Sequence, residues 1–212
     1  MDEKNELELR SYTFEVRAEQ TEEGAILTGR PVVYNSKTDL GWFDEVIEQG
    51  ALDNTDLTDV RFLVNHDVKK IPLARSRRNN GNSTMQLSVD FQGLSLDWVK
   101  LDIENNAEAR ALYSAVQRGD ISGMSFMFSV NAEEWDDLES DHPTRRVKEI
   151  GSIVEISACT FPAYSATSIS ARSKEALENA RLELENAKRS ANDAEALELD
   201  LAKAKFDFAN KF

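Results

Sequence analysis

The chain has 212 residues and a formal net charge of -14, because 39 acidic side chains outnumber 25 basic ones. Hydrophobic residues make up 41% of the sequence, which is enough for a packed core in one domain with an appendage. The acidic balance excludes a general nucleic-acid binder, since neutralising phosphates requires clustered Lys and Arg. No apolar run approaches the roughly 18 residues needed to span a bilayer, so we expect no membrane segment.

The only cysteine, Cys159, has no second thiol with which to form an intrachain disulfide. The first six residues lack the basic and apolar regions of a secretory signal peptide. We therefore expect a soluble protein made in a reducing cytoplasm.

Charge and backbone composition both change near Arg172. Residues 1–172 hold 30 acids and 18 bases, whereas residues 173–212 hold 9 acids and 7 bases. All nine glycines lie at or before Gly151 and all four prolines at or before Pro162. We therefore predict a body over residues 1–172 and a helical, coiled-coil-like tail over residues 173–212.

Most of the body is predicted to be short strands. Alternating or continuous apolar residues bounded by turn residues are typical of strands. The predicted strands cover residues 10–17, 25–34, 61–66, 85–91, 95–103, 125–130 and 150–161.

Two helical segments are predicted within the body. Phe43, Val46 and Ile47 fall at helical spacing before Gly50, which favours a helical turn ended by a left-handed glycine. The clearer helix covers residues 106–118, with an Asn N-cap and Gly119 at its end.

The tail shows apolar residues in alternating three- and four-residue steps from Leu177 to Phe208. The seam is rich in alanine, and Glu198 and Lys205 interrupt it. The spacing predicts a helix, which is either a solvated helix or modest coiled coil, or a docking segment that recruits the body to a partner.

Only two histidines are available for acid-base chemistry. His142 lies in an acidic stretch, residues 133–143, which we interpret as a solvated connection; it lacks the spacing and the central glycine of a calcium loop, so we assign it no metal. His66 ends a predicted strand on the same face as Phe62 and Val64, at the rim of an apolar surface.

Ser125 and Glu155 are the other candidates for chemistry. Ser125 begins a strand after a glycine-containing turn, so it is either a buried, satisfied serine or a nucleophile. Glu155 lies in a strand that is apolar on both faces, where a carboxylate requires a partner. That partner is either His66 or an arginine such as Arg145 or Arg146.

Five ordered motifs together resemble the tailed-phage prohead protease family, which is related in fold to the herpesvirus assembly protease. The resemblance covers about residues 10–172. The motifs are residues 29–35 (GRPVVYN), 45–52 (EVIEQGAL), 65–67 (NHD), 123–126 (GMSF) and 155–164 (EISACTFPAY).

The resemblance implies an α+β fold with a mostly antiparallel, β-barrel-like core and a few packed helices. It also implies a serine endopeptidase in which His66 is the general base and Ser125 the nucleophile. Glu155 would be the third, orienting residue. No metal or organic cofactor would be required.

The family's role implies that the substrates are the major capsid protein and scaffold segments, and possibly the protease itself. Such an enzyme would act inside the procapsid, in the cytoplasm of the bacterial host. The tail could supply a homo-oligomer contact or a coiled-coil partner. Neither nucleic acid nor a membrane is an expected partner.

Two other functions compete with this interpretation. One is a non-catalytic capsid-assembly or scaffolding protein that keeps the fold and binds through its tail. The other is a cysteine hydrolase built on Cys159 and His66, although a free thiol in an apolar run is usually part of the core.

A basic cluster follows His66 in the otherwise acidic body. It is either a solvated hairpin or a lip of the substrate groove that steers acidic peptides by charge. Its members are Lys69, Lys70, Arg75, Arg77 and Arg78.

Overall fold

The computed structural model describes residues 7–12, 16–22, 24–160, 174–192 and 194. The strands of this part of the chain are β1 (Leu7–Tyr12), β2 (Arg17–Thr21), β3 (Gly24–Val33), β4 (Lys37–Asp39), β5 (Asp44–Ile47), β6 (Arg61–Val64), β7 (Ala74–Arg75), β8 (Met85–Asp90), β9 (Gly93–Leu101), β10 (Gly123–Asp136) and β11 (Thr144–Cys159). The helices are α1 (Ala107–Gln117), α2 (174–192) and a 3₁₀ turn (Arg77–Asn79).

The strands form two sheets that share one hydrophobic core. The larger sheet has the order β1-β10-β11-β5-β4, with β6 also paired to β11 and β7 paired to β6. The smaller sheet has the order β2-β3-β9-β8. Phe62, Phe126 and Ile156 of the larger sheet pack with Leu27 and Leu96 of the smaller one in a single buried cluster.

The longest strand, β11, organises the larger sheet. It pairs antiparallel with β10 along most of its length, and two short strands run parallel to it on its other side. β5 pairs with its beginning and β6 with its end. Residues 155–159 are all buried, so both faces of this end of β11 are covered and its apolar residues on both faces are explained.

The fold class is α+β, as expected, and most strand pairs are antiparallel. The expected barrel-like closure is wrong for the described residues, because β1 and β4 end one sheet and β2 and β8 end the other. None of the described helices is long and apolar enough to cross a membrane.

The predicted helix over residues 106–118 is confirmed as α1. The Asn106 side chain accepts hydrogen bonds from the backbone N–H groups of Glu108 and Ala109. Gly119 follows the helix with a positive φ of 79°, a conformation that glycine adopts without strain. The apolar face of α1 is buried, which leaves the polar face in solvent.

The helical turn predicted at residues 43–47 is wrong, because Asp44–Ile47 is strand β5. Glu45, Val46 and Ile47 are all buried, so the segment has no solvent face from which its period could be determined. Short apolar runs of this kind do not distinguish a strand from a buried helix. Gly50 does adopt a positive φ of 93°, but it lies in the turn that follows the strand.

Strand ends account for the other differences. The strand predicted at residues 10–17 is two strands in different sheets, β1 and β2, and residues 13–15 lie outside the described residues. The strand predicted at residues 61–66 stops at Val64. The predicted connection at residues 133–143 is confirmed at residues 137–143, where the chain reverses between β10 and β11, whereas residues 133–136 still belong to β10.

Helix α2 confirms the helical prediction for the start of the tail. Leu177 is buried, and Arg181 donates hydrogen bonds to the carbonyl oxygens of Leu138 and Ser140. Lys174 lies 5.3 Å from the ring centre of Trp42. The helix therefore packs against the turn between β10 and β11. The seam residues beyond 194 lie outside the described residues.

The smaller sheet leaves no room for a side chain at Gly93. Its φ is 138°, and a Cβ at this position would lie 2.2 Å from the Val32 carbonyl oxygen. We predict that Gly93→Ala lowers the free energy of unfolding by about 3 kcal/mol or more in urea titrations. Gly81→Ala is the control, because no atom lies within 4 Å of the added Cβ. Equal losses in the two variants would contradict this account.

Candidate active site

His66 lies in a left-handed turn immediately after β6, not on the strand as predicted. Asn65 and His66 have φ values of 52° and 58°. The Asn65 side chain exchanges hydrogen bonds with Thr160, and the His66 backbone N–H donates to the Ser157 Oγ at 3.0 Å. These contacts fix the turn against the end of β11. The position of the imidazole is therefore set by the anchored backbone of residues 65 and 66.

Ser125 lies near the start of β10 and is fully buried. In the ladder it is opposite Ser157 of β11 on one side and Ser11 of β1 on the other. Its Oγ lies 2.6 Å from the His66 Nε2. It also donates a hydrogen bond of 2.7 Å to the carbonyl oxygen of Arg10.

Glu155 lies on the other side of the imidazole from Ser125. Its Oε2 is 2.6 Å from the His66 Nδ1. Its Oε1 accepts a hydrogen bond from the hydroxyl of Ser157. Glu155 is 3% exposed, so its carboxylate is satisfied by these two partners within the protein.

The structure thus brings together the three candidate catalytic residues that were identified in the sequence. The arginines considered as partners of Glu155 are engaged elsewhere, Arg145 with Glu8 and Arg146 with Asp136. A serine hydroxyl next to an imidazole, which a carboxylate contacts at its other nitrogen, is the arrangement used by serine hydrolases.

Ser157 lies within the motif at residues 155–164, but the sequence predicted no role for it. It lies two residues after Glu155, so the two side chains share a face of β11. Its Oγ accepts from the His66 backbone and donates to the Glu155 carboxylate, which links the turn to the acid. Strand parity with Glu155 was the signal that could have identified it.

Cys159 lies at the edge of the same site. Its Sγ is 3.8 Å from the His66 Nε2, the nitrogen that also contacts Ser125. Burial, followed by the charge of Glu155, raises the pKa of the thiol to about 12. The thiol is therefore protonated at neutral pH, and its geometry favours Ser125 as the nucleophile.

A buried ionic network lies on the opposite face of the sheet. Arg10 donates to both carboxylate oxygens of Glu45, at 2.5 and 2.7 Å. Arg145 contacts Glu45 at 3.0 Å and also binds Glu8 and Glu133. Burial opposes the charge on Arg10, but the carboxylates of Glu45 and Glu8 together outweigh burial and raise the pKa of Arg10. The network joins β1, β5, β10 and β11.

A groove of about 220 Å³ adjoins Glu155. Leu63, Val68, Lys70 and Met127 are among the residues that line it. Val68 is 67% exposed, so an apolar wall beside the site faces solvent.

The predicted basic cluster is divided between two places. Lys70 lines the groove and pairs with Glu108 of α1 at 2.7 Å. Arg75, Arg77 and Arg78 line a separate hollow, where Arg75 pairs with Asp59. Lys69 is exposed beside Lys70.

His142 lies in the turn between β10 and β11, away from Ser125. Its Nε2 is 3.2 Å from Asp44 and 3.8 Å from Asp39. Asp44 also binds Lys37 at 2.6 Å. These groups form an exposed ionic cluster that joins the turn to β4 and β5.

The family described as caudovirus prohead serine protease matches residues 12–181 of the chain. This span covers most of the sequence and contains His66, Ser125 and Glu155, and the chain belongs to this family. It is thus a serine protease of the kind that acts in phage capsid maturation. No curated protein and no solved structure matches the chain.

Glu8 makes the stability of the network dependent on pH. Burial opposes its ionisation, but Arg145 and Arg10 outweigh burial and lower its pKa from 4.5 to about 2. A depressed folded-state pKa stabilises the protein above pH 4.5, and this contribution is lost as the pH falls towards 2. We predict that Glu8→Gln removes up to about 3 kcal/mol of this pH dependence in urea titrations between pH 5 and 2. The control is Glu19→Gln, an exposed acid on β2; identical pH profiles for the two variants would contradict the prediction.

Proposed function

We propose that this chain is a prohead maturation endopeptidase in which Ser125, His66 and Glu155 form the catalytic triad. The observation that carries the proposal is the position of His66, with Ser125 Oγ and Glu155 Oε2 each 2.6 Å from a different ring nitrogen. A nucleophile, a base and an orienting acid are therefore in hydrogen-bond contact.

In the proposed reaction, His66 Nε2 takes the hydroxyl proton as Ser125 Oγ attacks the carbonyl carbon of the scissile peptide bond. The C–N bond breaks, and the imidazolium gives its proton to the leaving amine. Water then hydrolyses the ester on Ser125, with His66 again accepting and returning a proton. The products are a carboxylate, an amine and the regenerated serine.

Glu155 holds His66 in the tautomer that this reaction requires. The Nδ1–H group donates a hydrogen bond to the Glu155 carboxylate, so the proton stays on Nδ1 and Nε2 is free to accept the serine proton. Ser157 in turn fixes the carboxylate through its own hydroxyl. Glu155 is therefore a positioning residue, and its charge stabilises the imidazolium.

The substrates proposed from the family's role are the major capsid protein and its scaffold segments, and the chain itself. The site of action would be the interior of the procapsid, within the cytoplasm of the bacterial host. A relationship in fold to the herpesvirus assembly protease forms part of the same proposal.

The division of the chain at residue 172 into protease domain and tail is also proposed. Helix α2 contacts the body on one side through Leu177 and Arg181, while Leu182 is 56% exposed. An exposed helical surface on a docked segment supports a role in binding an oligomer partner or delivering the protease. Lys69 and Lys70 would steer acidic peptides to the groove.

Co-expression with the capsid and scaffold proteins tests the nucleophile. We predict that Ser125→Ala abolishes their processing, a loss of at least about 10⁴-fold in rate, as seen by electrophoresis and mass spectrometry. Ser129→Ala is the matched control, since Ser129 is a buried serine of the same strand.

Cys159→Ala separates the serine mechanism from the cysteine alternative, and we expect processing to persist in this variant. Unchanged processing by Ser125→Ala would refute the proposed function and favour a non-catalytic scaffolding role.

Glu155→Gln tests the orienting role, because the amide keeps the shape of the side chain and loses its charge. We predict a fall in kcat of about 10² to 10⁴-fold with KM little changed, measured on a peptide substrate. Glu149→Gln, on the same strand, is the control. A kcat within a factor of two of the wild type would exclude Glu155 from the triad.

A further inference from the structure

Strand β1 lies directly beside the proposed nucleophile. It pairs antiparallel with β10, with Ser11 opposite Ser125 and Arg10 opposite Phe126. The carbonyl oxygen of Arg10 is 2.7 Å from the Ser125 Oγ. An extended peptide segment therefore places its backbone carbonyl group next to the Ser125 Oγ, the atom that would attack a scissile carbonyl carbon.

The contact with β1 is a resting arrangement. The Ser125 hydroxyl has one proton, which it can donate either to the Arg10 carbonyl or to the His66 Nε2. While the hydroxyl donates its hydrogen bond to the Arg10 carbonyl oxygen, it does not point its proton at the base. When a substrate takes the place of β1, the Ser125 hydroxyl has to rotate so that it donates its hydrogen bond to the His66 Nε2.

The Arg10 side chain occupies a buried acidic pocket. Its guanidinium binds both oxygens of Glu45, and the exposed fractions of the two side chains are 4% and 0%. The planar guanidinium fits a carboxylate in this two-point manner better than any other side chain. Arg145 contacts the same carboxylate at 3.0 Å and so holds Glu45 in place independently of Arg10.

The pocket keeps its preference for a cation when β1 is removed. Arg10 and Glu8 leave together, one positive and one negative charge. Glu45, Arg145 and Glu133 remain, with two carboxylates against one guanidinium. One net negative charge at a buried site disfavours an acidic or neutral side chain and stabilises a basic one.

We propose that β1 occupies the substrate site and that Glu45 is a specificity-determining residue, which selects Arg or Lys immediately before the scissile bond. The substrate class is an extended peptide that pairs antiparallel with β10, as strands add to a free sheet edge. Arg is preferred over Lys, because Lys makes only a point contact with the carboxylate. This inference rests on the proposed protease function.

Two neighbouring residues of β1 define further contacts for such a peptide. Leu9 lies opposite Met127, which lines the groove beside Glu155. Glu8 binds Arg145 at 2.7 Å. The preferred peptide therefore has an apolar residue and then an acidic residue on the amino side of the Arg.

The chain contains other Arg-Ser bonds, although none of them has the acidic residue two positions before the Arg that β1 has. Arg is followed by Ser at Arg10, Arg75, Arg172 and Arg189. Ser76 is 1% exposed within the folded body, so its bond is protected. The bond after Arg172 falls at the proposed boundary between the body and the tail, where a single cut would end the covalent connection between them.

The test uses the full-length chain and a ten-residue peptide with the sequence of residues 5–14, NELELRSYTF. We expect cleavage between Arg and Ser, and cleavage slower by about 100-fold or more when this Arg is replaced by Gln in the peptide. Glu45→Gln in the protease should reduce this preference to less than about 10-fold. Glu48→Gln, an acid three residues away that pairs with Lys148, should leave it unchanged.

If Glu45→Gln fails to fold, Glu45→Asp replaces it as the test variant. Aspartate keeps the charge and shortens the side chain, so this variant should retain a weakened preference for Arg. Cut sites in co-expressed capsid and scaffold proteins give a second, independent measurement on the unaltered protease. Ser125-dependent cuts after residues other than Arg or Lys would overturn this inference and leave the proposed function intact. Absence of any Ser125-dependent cut would overturn both.

Discussion

The pairing of β10 with β11 is the constraint on which the rest of the site depends. It sets Ser125 opposite Ser157, and the same register places Glu155 two residues further along the face that Ser125 shares. The end of β11 then accepts β6 as a parallel neighbour. The chain leaving β6 has to turn over Ser157, and this turn carries His66 between the acid and the serine.

The buried charges of the described residues lie in two clusters, one on each face of the larger sheet. On the site face, Glu155 is satisfied by an imidazole and a hydroxyl, which leaves its charge available to stabilise an imidazolium. On the other face, Arg10 and Arg145 neutralise buried acids that would otherwise be costly to desolvate. The second cluster holds β1 on the sheet, so the same ion pairs that stabilise the fold also hold a peptide strand against Ser125.

Helix α1 and the candidate catalytic residues were predictable from the sequence, for local physical reasons. The cap at Asn106, the apolar spacing and Gly119 lie within one continuous segment, so no distant contact was needed. Ser125 and Glu155 each stand out as a polar side chain in an apolar strand, a combination that requires a partner. The family resemblance supplied which partner each residue would have.

The rest depended on contacts between distant segments. β5 was mistaken for a helical turn because burial on every side removed its period, and the pairing with β11 that makes it a strand is about 100 residues away. The left-handed turn at Asn65 and His66 is imposed by Thr160 and Ser157, not by a local glycine. The contact of the Arg10 carbonyl with Ser125 could not be predicted from a side chain, because every residue has a backbone carbonyl.

The most direct test of the central claim is reaction with a small phosphonofluoridate, which forms a covalent adduct with an activated serine. We predict a single adduct on Ser125 by peptide mass spectrometry, and its loss in His66→Ala, because Oγ attacks only when the imidazole takes its proton. An adduct on another serine, or an equal rate of labelling of Ser125 in His66→Ala, would contradict the account.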